Sequence, residues 1–279
     1  MSHSLAWFYW NPPREAFTIP LIDLPVMWYG ILFALGFVCG YFILIPILKS
    51  SLSKNNRSLS TQFADRLTFF IVIGTIVGAR LGHVFFYDWP YYAANPLEII
   101  MLRHGGLASH GGTLGVIISL LLFIRFNRHR FPEISLIFLM DVLVIPTAIT
   151  ATFIRLANFF NQEILGNKTL MPWGIIFGNA ADGTVPTPRH PVQLYEAGAY
   201  LATFFILYGL WKAKGPTLKP GTLCGIFFIL VFGSRFFIEF LKTPQVSWID
   251  EPYLQMGQYL SIPFVLFGCL LLFLRSRTR

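Results

Sequence analysis

Seven apolar stretches dominate this chain, over residues 27–48, 66–87, 110–126, 134–154, 193–211, 221–241 and 257–274. Each approaches the roughly 20 helical residues that cross a hydrocarbon core. The pattern predicts an all-α polytopic membrane protein, a single integral membrane domain over residues 1–279, with about seven transmembrane helices. Composition agrees. Only 12% of the residues are charged, about half of what a soluble domain carries. Disorder, fibrous repeats and a secreted disulfide scaffold are excluded, and the three cysteines (Cys39, Cys224, Cys269) lie inside apolar runs, where a thiol acts as a small hydrophobe. The first 26 residues lack a basic start and hold Trp7, Trp10, Pro12 and Pro13, so no cleavable signal is expected.

Orientation follows from where lysine and arginine fall between the spans. One side collects Lys49, Lys54 and Arg57; Arg125, Arg128 and Arg130; Lys212, Lys214 and Lys219; and Arg275, Arg277 and Arg279. The other side has only Arg14, Arg103, Arg155, Lys168, Arg189 and Lys242, spread over more chain. Arg66, Arg80 and Arg235 fall within spans. The clustered side predicts a cytoplasmic C-terminus, and seven spans then put the N-terminus outside. The polar, Gly- and Pro-containing segment at about 155–192 is expected to form a small external cap. The net charge of +8 therefore reads as topology, not as a nucleic-acid surface. Glycines at small-xxx-small spacing (Gly36/Gly40, Gly74/Gly78/Gly82, Gly221/Gly225) predict close helix packing.

An ionisable group at the bilayer centre costs about 2.5–3.5 kcal/mol on insertion scales, so Arg80, His83, Asp141, Arg155, Glu196, Arg235 and Glu239 each need a reason. Arg235 and Glu239 are four apart and share a helix face, either as an orienting ion pair or with Arg235 turned to an anionic ligand. In a helix, Arg155, Asn158 and Gln162 share a face while Glu163 points away. Arginine with asparagine beside it suits a phosphate group, since the guanidinium is a rigid donor fork. An interfacial arginine snorkelling to the headgroups is the plainer alternative.

The run from Arg103 to Gly112 opens the third span with Gly105, Gly106, Gly111 and Gly112 around His110. Glycines at a helix start let a ligand approach the backbone, and free N–H groups there favour anions. His110 is either a general base working near neutral pH or a histidine bonded at a helix cap. Trp28-Tyr29-Gly30 opens the first span as belt aromatics, or with the Tyr29 phenol toward a ligand. No Gly-x-Ser-x-Gly accompanies the His-Gly-Gly, so a serine hydrolase lacks its nucleophile. Zincin, Cys-x-x-Cys, P-loop and dinucleotide motifs are missing too. No metal and no cofactor are expected.

Taken in order, these motifs resemble the bacterial phosphatidylglycerol–prolipoprotein diacylglyceryl transferases. The resemblance rests on Trp28-Tyr29-Gly30, Gly78-Ala79-Arg80-Leu81-Gly82, the block from Gly105 to Gly112, and Arg155, Asn158, Asn161 and Glu163 at the family's core spacing. Pro188-Arg189-His190-Pro191 with Gln193-Leu194-Tyr195-Glu196, Arg235 to Phe240, and Met256-Gly257-Gln258 complete it. Two positions depart from it. Ile154 and Ala157 stand where the family usually has glycine, which bears on headgroup approach and helix packing.

The resemblance implies a multi-pass enzyme of the bacterial inner membrane. It would move the diacylglyceryl group of phosphatidylglycerol to the lipobox cysteine thiol of a prolipoprotein signal peptide. A thioether forms and glycerol phosphate leaves. The implied catalytic residues are His110, Arg155, Arg235 and Tyr29. The implied lipid-binding residues are Arg155, Asn158, Glu163, Arg235, Glu239, Gly111 and Gly112. The thiol belongs to the substrate, so the enzyme needs no reactive cysteine. The thiol proton goes to His110 or to the lipid phosphate, the second leaving His110 a positioning role. The expected partners are phosphatidylglycerol, prolipoprotein signal peptides and membrane lipid, with no nucleic acid. Two other classes compete: a phosphotransferase using the lipid with another acceptor, and a transporter of anionic lipids or metabolites.

Overall fold

Each of the seven apolar stretches is a helix in a computed structural model of the chain, which describes residues 7–21, 23–101, 105–243 and 254–277. Arg103 and His104 of the glycine run, and Arg279 of the last basic cluster, lie outside the described residues. The spanning stretches are α1 (Trp28–Ser51), α2 (Ser60–Phe86), α4 (Ser109–Asn127), α5 (Leu136–Phe160), α6 (Val192–Lys214), α7 (Thr222–Glu239) and α8 (Met256–Arg277). A short α3 (Trp89–Ala94) follows α2. Six of these helices are long and apolar enough to cross a membrane, making this a polytopic, mostly helical membrane protein. The exception among the expected seven is α6. Its 23 residues reach about 35 Å, but Gln193 and Glu196, both fully buried, and several small residues lower its hydropathy.

Short strands, which no sequence pattern announced, accompany the helices. β1 (Phe8–Trp10), β4 (Ile175–Phe177) and β5 (Pro188–Arg189) form a sheet in the order β1-β4-β5, and β2 (Glu15–Ile19) pairs with β3 (Leu24–Met27) as a hairpin. Two of them lie in the segment expected to be the cap. That segment has its own apolar centre of Phe159, Leu165, Ile175 and Phe177. Trp10 stacks on Phe159 at 4.7 Å and donates its indole N–H to the Phe159 carbonyl at 3.1 Å.

The chain divides into two compact units, one of residues 1–43 and 141–279, the other of residues 44–140. In the first, Gly36 and Gly40 let α1 lie against α5. Thr150 fills the gap, its one hydroxyl proton shared between the carbonyls of Gly36 and Pro146, each 2.9 Å from the oxygen. The second bond is the i−4 back-bond that a helical threonine makes to its own helix. Asp141 accounts for its own buried charge. Its carboxylate accepts the backbone N–H groups of Gly221 and Cys224, the latter at 2.8 Å, at the start of α7, where free donors and the helix dipole favour an anion. Phe228, Phe232 and Phe264 stack between α7 and α8, with Phe232 and Phe264 4.3 Å apart.

In the second unit α2 and α4 meet along glycines, as the small-residue spacing predicts. Gly74, Gly78 and Gly82 face Gly111 and Gly115 so closely that a methyl on Gly115 would stand 2.9 Å from the Gly78 Cα. Beside this seam lies a cavity of about 680 Å³, walled by apolar side chains such as Phe69, Ile73, Leu81, Phe85, Leu114 and Leu122.

Candidate active site

The first unit gathers most of the expected site at the C-terminal end of α5. Regular helix stops at Phe160, and the chain then turns through positive φ at Gln162 (55°) and Ile164 (57°), a conformation that L-residues adopt only when their surroundings impose it. This turn reverses the reading of Glu163 as pointing away. Its carboxylate comes back over the helix end and accepts Asn158 Nδ2–H at 2.7 Å, while its N–H returns to the Asn158 carbonyl at 3.1 Å. Gln162 leaves the Arg155 face instead. It is fully buried, accepts the Asn179 N–H at 2.7 Å and donates to Asn11 at 3.2 Å, tying the turn to two loops.

Arg155 is held from two directions. Its Nη1 donates to Asn158 Oδ1 at 3.2 Å, and its Nε forms an ion pair with Glu196 Oε2 at 3.1 Å. The guanidinium carbon lies 5.9 Å from the ring centre of Tyr200, one turn along α6 from Glu196. Tyr200 is also in electrostatic reach of Arg235, and Tyr29 is in reach of both Glu163 and Arg155. Arg155, Asn158 and Glu163 are thus bonded to one another, with Tyr29 and Arg235 interacting at longer range. Their helices bring in cation, phenol and amide groups around a partly buried arginine, an arrangement suited to an anionic headgroup.

Glu239 does not pair with Arg235 as their spacing allowed. Its Oε2 lies 2.9 Å from Lys242 Nζ, and Lys242 in turn donates to Glu196 Oε1 at 2.8 Å. Arg235 thus keeps no carboxylate of its own among the described ion pairs. Gly257 explains itself here: a methyl at that position would run into the Glu239 carboxylate. Gln258, fully buried, donates to the Phe236 carbonyl at 3.2 Å and fixes α8 against α7. Gln193, at the start of α6, donates to the Glu163 carbonyl at 2.7 Å and holds the turn in place. Glu196, Tyr200, Lys242 and Gln193 were not named as site residues from sequence. The motif from Gln193 to Glu196 was the available signal for two of them. Ala157, one of the two departures from glycine, is fully buried, whereas Ile154 is half-buried.

In the second unit His110 is the second residue of α4 and exposed, its ring lying against Phe86 and Tyr87 at 5.8 and 5.6 Å between centres. Gly111 packs on the backbone of Gly78 and Gly82, and Gly112, also buried, gives its N–H to the Ala108 carbonyl at 3.0 Å. The close approach these glycines permit is here made by α2. Arg80 accounts for the rest of the run. It is buried and donates to the carbonyls of Ile99 (2.8 Å), Gly106 (3.1 Å) and Met101 (3.2 Å), and to those of Glu98 and Gly105. Its guanidinium also faces Tyr92 at 5.0 Å. The five N–H bonds of the group thus wrap the loop before α4. Gly106, at φ 79°, is the residue that lets this loop pass His83 and Arg80.

Within the cap segment Arg189 is buried and structural, donating to the Gly166 carbonyl (3.2 Å) and to the hydroxyls of Thr243 (3.1 Å) and Thr184 (2.8 Å). Asp182 caps the same turn. Partial burial works against its charge, but bonds from the Thr184 amide and hydroxyl, with Arg189 nearby, hold its carboxyl below the usual range.

The chain is similar to known proteins over most of its length. Residues 15–274 match the family described as prolipoprotein diacylglyceryl transferase. Several relatives named phosphatidylglycerol–prolipoprotein diacylglyceryl transferase align over nearly their whole length. One from Protochlamydia amoebophila is 43% identical, over 95% of this chain and 94% of its own. One from Tolumonas auensis is 42% identical, over 97% and 98%, and one from Chlamydia trachomatis is 38% identical, over 97% and 99%. With the match reaching from the β2–β3 hairpin to the last helix, the chain belongs to the prolipoprotein diacylglyceryl transferase family.

Proposed function

We propose that this protein transfers the diacylglyceryl group of phosphatidylglycerol to the cysteine thiol of a prolipoprotein signal peptide, at the outer face of the bacterial inner membrane. The sulfur attacks the glycerol carbon that bears the phosphate. A C–S bond forms, the C–O bond breaks, and glycerol phosphate departs with the electron pair. Negative charge grows on the phosphate oxygen as it leaves, and stabilising that charge is the main task of the protein. Arg155 and Arg235 are assigned to it. Asn158 and Glu163 orient the headgroup and the arginine, and Tyr29 contributes a hydrogen bond. Glu239 takes part in lipid binding, and Gly111 and Gly112 shape the start of α4 beneath His110. A thiol with a pKa near 8.5 is mostly protonated at neutral pH, and its proton passes to His110 or to the lipid phosphate. The basic clusters support a cytoplasmic C-terminus and an external N-terminus, which puts the end of α5 at the outer leaflet.

The observation that carries this reading is the bonding of Arg155. Glu196 takes Nε and Asn158 takes Nη1, so the guanidinium is oriented in advance at the end of a membrane helix, beside a second cation and two phenols. The test is direct. Purified protein, phosphatidylglycerol and a signal peptide with the acceptor cysteine are combined, and mass spectrometry follows the diacylglyceryl adduct and released glycerol phosphate. A thioether that forms on the cysteine peptide and not on its Cys→Ser counterpart is expected. Transfer to the serine peptide at the same rate would reassign the protein to a hydroxyl acceptor, and no transfer beside an active relative would overturn the reading.

A further inference from the structure

By position alone Lys242 is one of a few external basic residues, yet it is 2% exposed and lies between two buried carboxylates. Its ammonium bridges Glu196 Oε1 at 2.8 Å and Glu239 Oε2 at 2.9 Å. Its backbone is fixed as well. It pairs with Gly166 in an isolated bridge, and the neighbouring Thr243 N–H reaches the Leu165 carbonyl at 3.0 Å. The turn that brings Glu163 back to Asn158 therefore continues into the strand contact that holds Lys242. Arg155, Glu196, Lys242 and Glu239 form an unbroken chain of alternating charge, two positive and two negative.

We infer that Lys242 is a positioning residue for lipid binding: by occupying Glu196 Oε1, it confines Glu196 to the Nε edge of Arg155 and leaves the guanidinium N–H groups that Asn158 does not take to an anionic headgroup. The inference rests on the proposed transferase reading. A carboxylate and a guanidinium left to themselves favour a two-bond fork. Glu196 has two oxygens, and among the described residues Lys242 is the cation that holds Oε1 away from that fork. A forked Glu196 would compete with the lipid phosphate for the same donors. The ammonium is suited to the task because its three N–H groups can serve two carboxylates at once, and burial keeps the carboxylates from finding water instead. A buried charge left without its partner is strongly unfavourable, so removing Lys242 strips Glu239 of its ion pair and leaves Glu196 Oε1 without a cation; Glu196 does not stay half-paired. It turns to Arg155.

The experiment measures kcat and KM separately for lipid and for peptide, on the full-length protein in detergent micelles containing phosphatidylglycerol. Lys242→Met is expected to raise the lipid KM by about tenfold or more while the peptide KM stays within about threefold. Lys242→Arg keeps a buried cation on the same anchor and should restore the lipid KM. The double variant Lys242→Met/Glu196→Gln removes the competitor, leaves Arg155 facing a neutral amide, and should bring the lipid KM back to within about threefold of wild type, a non-additive result. A purely structural lysine would lower the amount of active protein, and hence apparent kcat, without moving the lipid KM or being relieved by a second substitution. An unchanged lipid KM in Lys242→Met, or a double variant no better than the single, overturns the inference. Should Lys242→Met not be recovered folded, the charge-balanced double variant decides: a lipid KM near wild type supports the inference, and a raised one or failure to fold overturns it. Wild-type transfer in the same assay separately tests the transferase reading, so the two cannot fail indistinguishably.

Discussion

Gly115→Ala and Gly209→Ala add the same methyl group to a helix and should change stability in opposite directions. At Gly115 the new carbon would stand 2.9 Å from the Gly74 carbonyl carbon and 2.9 Å from the Gly78 Cα, with the Gly74 oxygen nearer still. Unstrained carbon contacts lie at about 3.5–4.0 Å, so roughly 0.6–1.1 Å is lacking. All three obstructing atoms are backbone on α2, and no rotamer change can move them. The helices must part by about that distance, and overpacking of this kind costs about 1–3 kcal/mol. Against it stands the gain of about 1 kcal/mol when alanine replaces glycine inside a helix. The net for Gly115→Ala is a loss of up to about 2 kcal/mol. Gly209 in α6 has nothing within 4 Å of the added carbon, so Gly209→Ala keeps the helix gain without opposition. The helix gain is common to both variants, so they differ by the overpacking cost of about 1–3 kcal/mol. At about 2–4 °C per kcal/mol for a chain of this size, the two thermal midpoints should differ by about 2–12 °C. Tryptophan fluorescence of purified protein at one scan rate in one detergent reads the difference. A Gly115→Ala midpoint at or above that of Gly209→Ala would refute the claim that α2 and α4 are held at glycine contact distance.

Three further outcomes are expected. Arg155→Lys should lower kcat/KM for the lipid by about a hundredfold with little change in thermal midpoint, because one ammonium cannot reproduce both the Nε ion pair with Glu196 and the Nη1 hydrogen bond to Asn158; retained turnover would show that charge alone suffices. Asp141→Ala removes the acceptor for the Gly221 and Cys224 amides and should cost about 1–2 kcal/mol, visible as a lower midpoint with an unchanged KM. Asp182 has a folded-state pKa below its ordinary value, so its small stabilising effect is complete above the unfolded pKa near 3.9 and disappears as pH falls through the folded value. The midpoint advantage of wild type over Asp182→Asn should therefore shrink between about pH 5 and pH 3, and an advantage that grows on acidification would contradict the sign.

The helices were legible because lipid leaves a chain so few choices. A run of about 20 mostly apolar residues has one economical conformation in hydrocarbon, and all seven such runs are helical. Helix packing was legible for the same reason. Glycines four residues apart line one helix face, and Gly74, Gly78 and Gly82 do meet the glycines of α4. The strands of the cap were not. β1 is three residues long and its partner β4 lies more than 160 positions away, so neither has enough length to display an alternating pattern. α6 shows the limit of reading hydropathy alone, because Gln193 and Glu196 lower the average of a helix whose polar groups are fully buried.

At the site, residue identity was readable and connectivity was not. Arg155 was picked out because a membrane helix has no cheap reason to carry it, and that argument holds whatever it touches; Asn158 stood out as its neighbour, and Glu163 entered through the family resemblance. Their partners depend on where the helix stops. An ideal helix carried through Glu163 turns its carboxylate away, whereas α5 ends at Phe160 and positive φ at Gln162 and Ile164 brings it back to Asn158. The same local event redirected Gln162 into the cap. Spacing likewise offered Arg235 to Glu239, four residues apart on one helix. The structure gives Glu239 to Lys242, three residues on and past the helix end, where the chain is pinned to Gly166. An i,i+4 pair on an exposed helix contributes only about 0.3–0.5 kcal/mol. A buried ammonium shared by two carboxylates is governed by the far larger penalty of leaving any one of them unpaired. Where charges are buried, the pairing that satisfies every group outweighs the pairing that is nearest in sequence, and that is why Lys242, unremarkable as a loop residue, completes the charge chain that ends at Arg155.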